Sequence, residues 1–289
     1  MSATGQAARE NPRWLAIRRG EAPLVVSLPH TGTEIPQECE TGLTSLWLAR
    51  KDTDWWIERL YDFAADLDAT IVRTAISRTV IDVNRDPSGV SLYPGQATTD
   101  LCPTTTFDGE PLYRPGAEPD AEAVAERRAR FFEPYHDALR SEIERLRARH
   151  PVVVVYDCHS IRSVIPRLFE GTLPHFNIGT NDGTSCHPAL AESVEAICAS
   201  SGFTHVVNGR FKGGYITRSL GRPADGVHAI QMELACRGYI AEPVGPVTES
   251  QWPAPFDETR AEPMRAVLGR IIDSCLTLAQ SEFRRKQVP

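Results

Sequence analysis

The chain predicts an α/β fold, a largely parallel central sheet with helices on both faces. Short, nearly unbroken apolar runs occur at Leu24-Val-Val-Ser-Leu28 and Val152-Val-Val-Val155, the pattern of strands covered on both sides. Longer stretches with helical periodicity separate such runs, so strand and helix patterns alternate. The chain has 289 residues, 41% hydrophobic and 24% charged, enough to bury a sizeable core without a disulfide scaffold.

Residues 1–12 are polar and read as a loose arm, leaving 13–289 as a single α/β domain. The strand Leu24–Leu28 runs directly into Pro29-His30. A helix is expected next, capped by Asp52 or Thr53, because Trp56, Leu60, Phe63 and Leu67 recur at helical spacing. Thr70–Arg73 and Thr79–Val83 read as short strands, the second leading into Asn84-Arg85-Asp86-Pro87. Residues 87–119 are rich in Pro, Gly, Thr and Asp, and irregular segments of that length more often serve function than connection. A helical stretch over about 120–149 carries the apolar stripe Phe132, Tyr135, Leu139, Ile143 and Leu146, with Pro134 expected to kink or divide it. The Val152–Val155 strand ends in Tyr156-Asp157-Cys158-His159. A glycine-rich stretch from Phe211 to Arg218, a strand over His228–Leu234 and a final helix over about 258–284 complete the chain.

The formal net charge is −7, so the chain has no global attraction to nucleic acid or to an anionic membrane. An anionic substrate is still allowed, because a few local arginines can reverse the sign of a pocket. The seven cysteines are scattered and contain no C-x-x-C, which reads as reduced thiols and a cytoplasmic location. No apolar run approaches the roughly 20 residues that span a bilayer, and residues 1–11 lack the apolar core of a secretory signal.

In open α/β sheets, ligands bind beyond the carboxyl ends of the strands. The two most hydrophobic strands here lead into His30 and His159. Two imidazoles, a carboxylate and an open position make a common catalytic zinc shell. The carboxylate is either Glu34, four residues after His30, or Asp54 at the start of the next helix. Cys158 reads as a small core residue, because adjacent strand positions face opposite sides. Gln231 and Glu233 share one face of the His228–Leu234 strand. That face is either solvated at a sheet edge or lines a cavity in which Glu233 is a general base. Arg85 and Arg218, both in loop-like contexts, offer planar forks to carboxylates.

The motifs Ser27-Leu-Pro-His-Thr-Gly-Thr-Glu-Ile-Pro36, Asp52-Thr-Asp-Trp55, Ile81-Asp-Val-Asn-Arg-Asp-Pro87, Tyr156-Asp-Cys-His-Ser160, Phe211-Lys-Gly-Gly-Tyr-Ile-Thr-Arg218 and Gln231-Met-Glu233 occur in that order. Together they resemble the N-formylglutamate amidohydrolases over roughly residues 20–245. That family is distantly similar to zinc carboxypeptidases and aspartoacylases, which implies a mixed, mostly parallel sheet. The resemblance implies one divalent metal, zinc, at His30 and His159, with Glu233 as general base and Asn84 and Arg85 binding substrate. Asp54 is preferred over Glu34 as third ligand, because it lies in a family motif and Glu34 departs from the His-x-x-Glu spacing of the carboxypeptidases. The substrate implied is the small dianion N-formyl-L-glutamate, cleaved to formate and L-glutamate in histidine degradation, with Arg85, Arg218 and Arg162 as candidate carboxylate clamps. Two rival readings are a metal-dependent deacylase of another N-acyl amino acid, N-acetyl or N-succinyl, and a non-catalytic binding protein for small acidic metabolites.

Overall fold

The computed structural model describes residues 11–92 and 95–286, the last five by backbone alone. The expected N-terminal arm therefore lies largely outside the described residues. The strands are β1 (Leu15–Arg18), β2 (Leu24–Leu28), β3 (Thr70–Thr74), β4 (Val153–Ile161), β5 (Phe176–Gly179), β6 (His205–Val207) and β7 (Val227–Ala235). They form one sheet in the order β1-β3-β2-β4-β7-β5-β6. Pairs β2–β3, β2–β4, β4–β7 and β5–β6 are parallel, while β1–β3 and β5–β7 are antiparallel, so the sheet is mixed and mostly parallel. The helices are α1 (Gln37–Glu40), α2 (Leu46–Arg50), α3 (Ile57–Leu60), α4 (Ala121–Arg127), α5 (Glu133–Arg147), α6 (Pro188–Ala199), α7 (Tyr215–Leu220) and α8 (Glu258–Lys286).

β4 and β7 lie side by side in the middle, and every residue of both is buried. Their alternation splits the interior in two. Val154, Tyr156, Cys158, Ile230, Met232 and Leu234 face a core shared with α3, α6 and α8. Val153, Val155, Val227 and Ala229 face the core under α5 and α7. Each fully buried aliphatic side chain contributes about 1.5–3 kcal/mol, which is why such unbroken strands belong at the centre. Toward the carboxyl ends of β4 and β7 the second face turns polar, with Asp157, His159, Gln231 and Glu233 replacing valine and alanine.

Two expected elements differ, and a third is divided near Pro134 as expected. The helix foreseen over 52–67 shrinks to α3 and a 3-10 turn at Asp62–Ala65. Trp56, which begins it, has φ of 65°, and the Asp54 N–H donates to the His30 carbonyl at 2.9 Å, so residues 52–56 follow the site and not a helix. Thr79–Val83 forms no strand. It is buried and turned, with Val80 N–H on the Ser77 carbonyl and Asp82 N–H on the Leu101 carbonyl. The long helix is interrupted by a π-helical segment, Arg128–Phe132, just before Pro134. Proline lacks the N–H and its ring crowds the carbonyl four residues back, and the wider π turn relieves both. Among the described residues no helix is long and apolar enough to cross a membrane. All seven cysteines are buried and unpaired.

Candidate metal centre and its pocket

Register places Asp157 opposite Gln231 and His159 opposite Glu233 on adjacent parallel strands, so four polar side chains form one block on the same face. His30 enters that block from just beyond β2. Asp54 enters ahead of α3, its carboxylate also taking the Ser160 N–H at 3.2 Å. Asp54 Oδ2 lies 3.0 Å from His159 Nδ1 and 3.7 Å from His30 Nδ1. One ligand atom from each of His30, Asp54 and His159 falls within 4.8 Å of the others, and all three residues are buried. Ligands about 2.0–2.1 Å from a tetrahedral ion sit about 3.4 Å apart, a spacing that the two Asp54 distances bracket.

The other nitrogen of each imidazole meets a carboxylate. His30 Nε2 is 2.7 Å from Asp82 Oδ1, and His159 Nε2 is 3.0 Å from Asp157 Oδ2. Such partners keep the proton on Nε2 and turn the Nδ1 lone pair inward. His30 Nδ1 is buried with no hydrogen-bond partner, a lone pair that the polypeptide itself leaves unused. The donor set therefore fits a small divalent metal. Arg78 braces the site, with Nη2 2.7 Å from Asp82 Oδ2 and Nη1 3.3 Å from Asp54 Oδ1. Burial pushes the Asp82 carboxyl up, but His30, Arg78 and Arg85 outweigh it and hold it well below the usual carboxylate range. At Glu233 burial prevails and pushes the carboxyl up to about 8, against the pull of His159 and Arg78. Gln231 steers Glu233: its Oε1 accepts the Gly214 N–H at 2.7 Å, which aims its Nε2 at Glu233 Oε2, 3.4 Å away.

His30, His159, Glu233, Asn84 and Arg85 line a common cavity. Arg85 is held at its wall by the Thr99 carbonyl and hydroxyl, both at 3.1 Å. The interior position of β7 removes the edge-strand reading of Gln231 and Glu233. Glu34 is exposed, its backbone tied to Ala75 and Ser77, and it takes no part in the cluster. Arg162 is buried but turned to Asp108 Oδ2 at 2.6 Å and Asp52 Oδ1 at 3.7 Å, outside the wall of that cavity. Arg218 lies in α7 and not in a loop; its Nε donates to the Gly213 carbonyl at 2.9 Å, and it does not line the cavity.

Sequence reasoning missed Arg78, Asp82 and Asp157, and also Arg210, which lines the cavity. Asp82 had a usable signal: a lone carboxylate inside the apolar run Val80-Ile-Asp-Val83 needs a buried partner. Asp157 had the same signal within its strand. Arg210 had none.

Residues 22–240 match the N-formylglutamate amidohydrolase family. An N-formylglutamate deformylase of Pseudomonas aeruginosa is 44% identical over 270 residues, covering 93% of this chain and 98% of the relative. One of Pseudomonas putida is 43% identical over 272 residues, covering 94% and 98%. The crystal structure of an N-formylglutamate amidohydrolase from Ralstonia eutropha JMP134 shares the fold, with a TM-score of 0.73 at 23% identity over 94% of this chain and 99% of that one. The chain belongs to the N-formylglutamate amidohydrolase family.

Proposed function

From that membership we propose that the protein hydrolyses N-formyl-L-glutamate to formate and L-glutamate, using one divalent metal, zinc, held by His30, Asp54 and His159. The observation that carries the reading is the convergence of those three buried donors, with the His30 Nδ1 lone pair unused, beside Glu233. Three protein ligands with room for a fourth is the pattern of catalytic and not of structural zinc. When bound, the metal supplies Lewis-acid polarisation of the formyl oxygen and acidifies water.

The chain's own residues do the rest. Glu233 takes the proton of the attacking water and delivers it to the leaving amine nitrogen. Its carboxyl, pushed up to about 8 by burial despite His159 and Arg78, would be drawn back toward a proton-accepting state by the charge of a metal bound beside it. Gln231 holds it in place. Arg85, at the cavity wall, is the fork for a substrate carboxylate. We assign no substrate contact to Arg162 or Arg218, whose guanidinium groups serve other partners. The buried, unpaired cysteines support a cytoplasmic setting, and the substrate supports a place at the end of histidine degradation.

Assaying the N-formyl, N-acetyl and N-succinyl derivatives of glutamate side by side, on protein of measured metal content, tests the reading. Turnover of the formyl compound with one metal per chain is expected. A preference for an acetyl or succinyl group would make the protein a deacylase of another N-acyl amino acid. Tight binding without turnover would make it a metabolite-binding protein.

A further inference from the structure

Asn84 stands between the carboxylates that flank both histidines and the glycine-rich segment, and it is 3% exposed. Its main-chain N–H donates to Asp82 Oδ1 at 2.9 Å, the oxygen that His30 Nε2 reaches at 2.7 Å. Its Nδ2 donates to Asp157 Oδ2 at 3.2 Å, the oxygen that His159 Nε2 reaches at 3.0 Å. Its Oδ1 accepts the Ile216 N–H at 2.8 Å, and its main-chain carbonyl accepts the Tyr215 N–H at 3.1 Å. These two bonds satisfy N–H groups in the first turn of α7, which has no internal partner for them. The Ile216 bond also orients the amide, because a flipped amide would set one donor against another there. Only glycine fits beside it at position 214, where a Cβ would stand 2.3 Å from Asn84 Nδ2.

We infer that Asn84 is a positioning residue for the metal site and not a substrate ligand. A carboxylate fixes an imidazole's tautomer and ring angle only while it is itself held. Asn84 holds both such carboxylates at once, one through its backbone and one through its side chain, and fastens them to α7. Its Nδ2 is also 2.9 Å from His159 Nε2. Asp157 Oδ2 thus meets both the Asn84 amide and the imidazole, and it cannot swing away without losing both contacts.

The inference rests on the metal assignment above, so the test begins with zinc titration of metal-free wild-type protein. Asn84→Ala and Asn84→Ser follow, with zinc dissociation constant, thermal melt, kcat and KM measured for each. The expected result is a zinc dissociation constant raised about 10–100-fold, the usual cost of losing a partner behind a ligand. KM for N-formyl-L-glutamate at saturating zinc stays within about threefold, since no uniform binding contact is lost. Combined with Asp157→Asn, the Asn84→Ala cost on zinc affinity is less than additive, because both act through one carboxylate. Unchanged zinc affinity with KM raised tenfold or more would make Asn84 a substrate ligand and overturn the inference. Full additivity with Asp157→Asn would overturn it as well. If Asn84→Ala fails to fold, Asn84→Ser decides by the same two readings. A wild-type protein that takes up no zinc would bring down the metal assignment and this inference together, an outcome that the first titration tells apart from the others.

Discussion

At Glu233, burial and reactivity pull in opposite directions. Desolvation pushes its carboxyl up to about 8, and a residue kept there for packing alone would be better replaced by leucine. Glu233→Gln preserves the shape of the side chain but cannot accept a proton. General acid–base contributions are about 10²–10⁴-fold, so kcat should fall within that range. Metal stoichiometry should be unaltered. If the metal leaves with the substitution, Glu233 is a ligand; if kcat is untouched, the polar face of β7 is structural. Arg85 poses a different question, that of geometry against charge. Lysine keeps the charge and loses the planar fork. Loss of a charge-assisted contact costs about 1.5–3 kcal/mol, or roughly ten- to over a hundredfold in kcat/KM. Arg218→Lys, away from the cavity, should leave kinetics near wild type. Unchanged kinetics in Arg85→Lys would show that no fork there holds substrate.

Helices bring groups to the site from behind as well as covering it. His136 on α5 packs against Phe132 and Tyr215, with ring centroids 4.3 and 5.2 Å away, and its Nε2–H donates to the Val83 carbonyl at 2.7 Å, one residue before Asn84. Burial, helped by Arg140, lowers its pKa to about 4 against the pull of that carbonyl. Between about 6.5 and 4 the unfolded chain therefore binds the proton that the folded chain refuses. Stability from this residue is fully present above pH 6.5 and falls as the pH drops, by about 3 kcal/mol at pH 4. Urea titrations at pH 7 and 4.5 in chelator should show wild type losing roughly 2–3 kcal/mol more than His136→Gln. Equal losses would mean that His136 is protonated in the folded state. This packing is also where sequence reading reached its limit. β2 and β4 were legible because consecutive buried positions leave nearly unbroken apolar runs at Leu24–Leu28 and Val152–Val155, and β7 because Ile230, Met232 and Leu234 alternate with Gln231 and Glu233. β1, β5 and β6 were not, being three or four residues long. His30, His159 and Glu233 could be picked out from their own strands. Asp82 and Arg78 could not be assigned roles, since the His30–Asp82 contact spans 52 residues and exists only once the chain has folded.

The site draws His30, Asp54, Asp82, His159 and Glu233 from segments that meet only in the native sheet, so a metal bound there sees the folded chain and not the unfolded one. Four buried carboxylates, Asp54, Asp82, Asp157 and Glu233, crowd around it with Arg78 as the buried counter-charge beside the imidazoles. A divalent cation offsets that excess, and by mass action it stabilises the whole molecule. At free metal about 100 times the dissociation constant, the gain is about 2.7 kcal/mol. For a single domain of about this size each kcal/mol moves Tm by roughly 2–4 °C, so removing the metal should lower Tm by roughly 5–10 °C. Scanning calorimetry of chelated and zinc-loaded protein measures the shift directly. Asp54→Asn should melt at one temperature with or without zinc, because it loses a ligand charge at the centre of the cluster. Glu233→Gln, whose proposed work is proton transfer, should keep the full shift. Identical melting of chelated and zinc-loaded wild type would show that no metal joins these segments, and a full shift retained in Asp54→Asn would move the third ligand elsewhere.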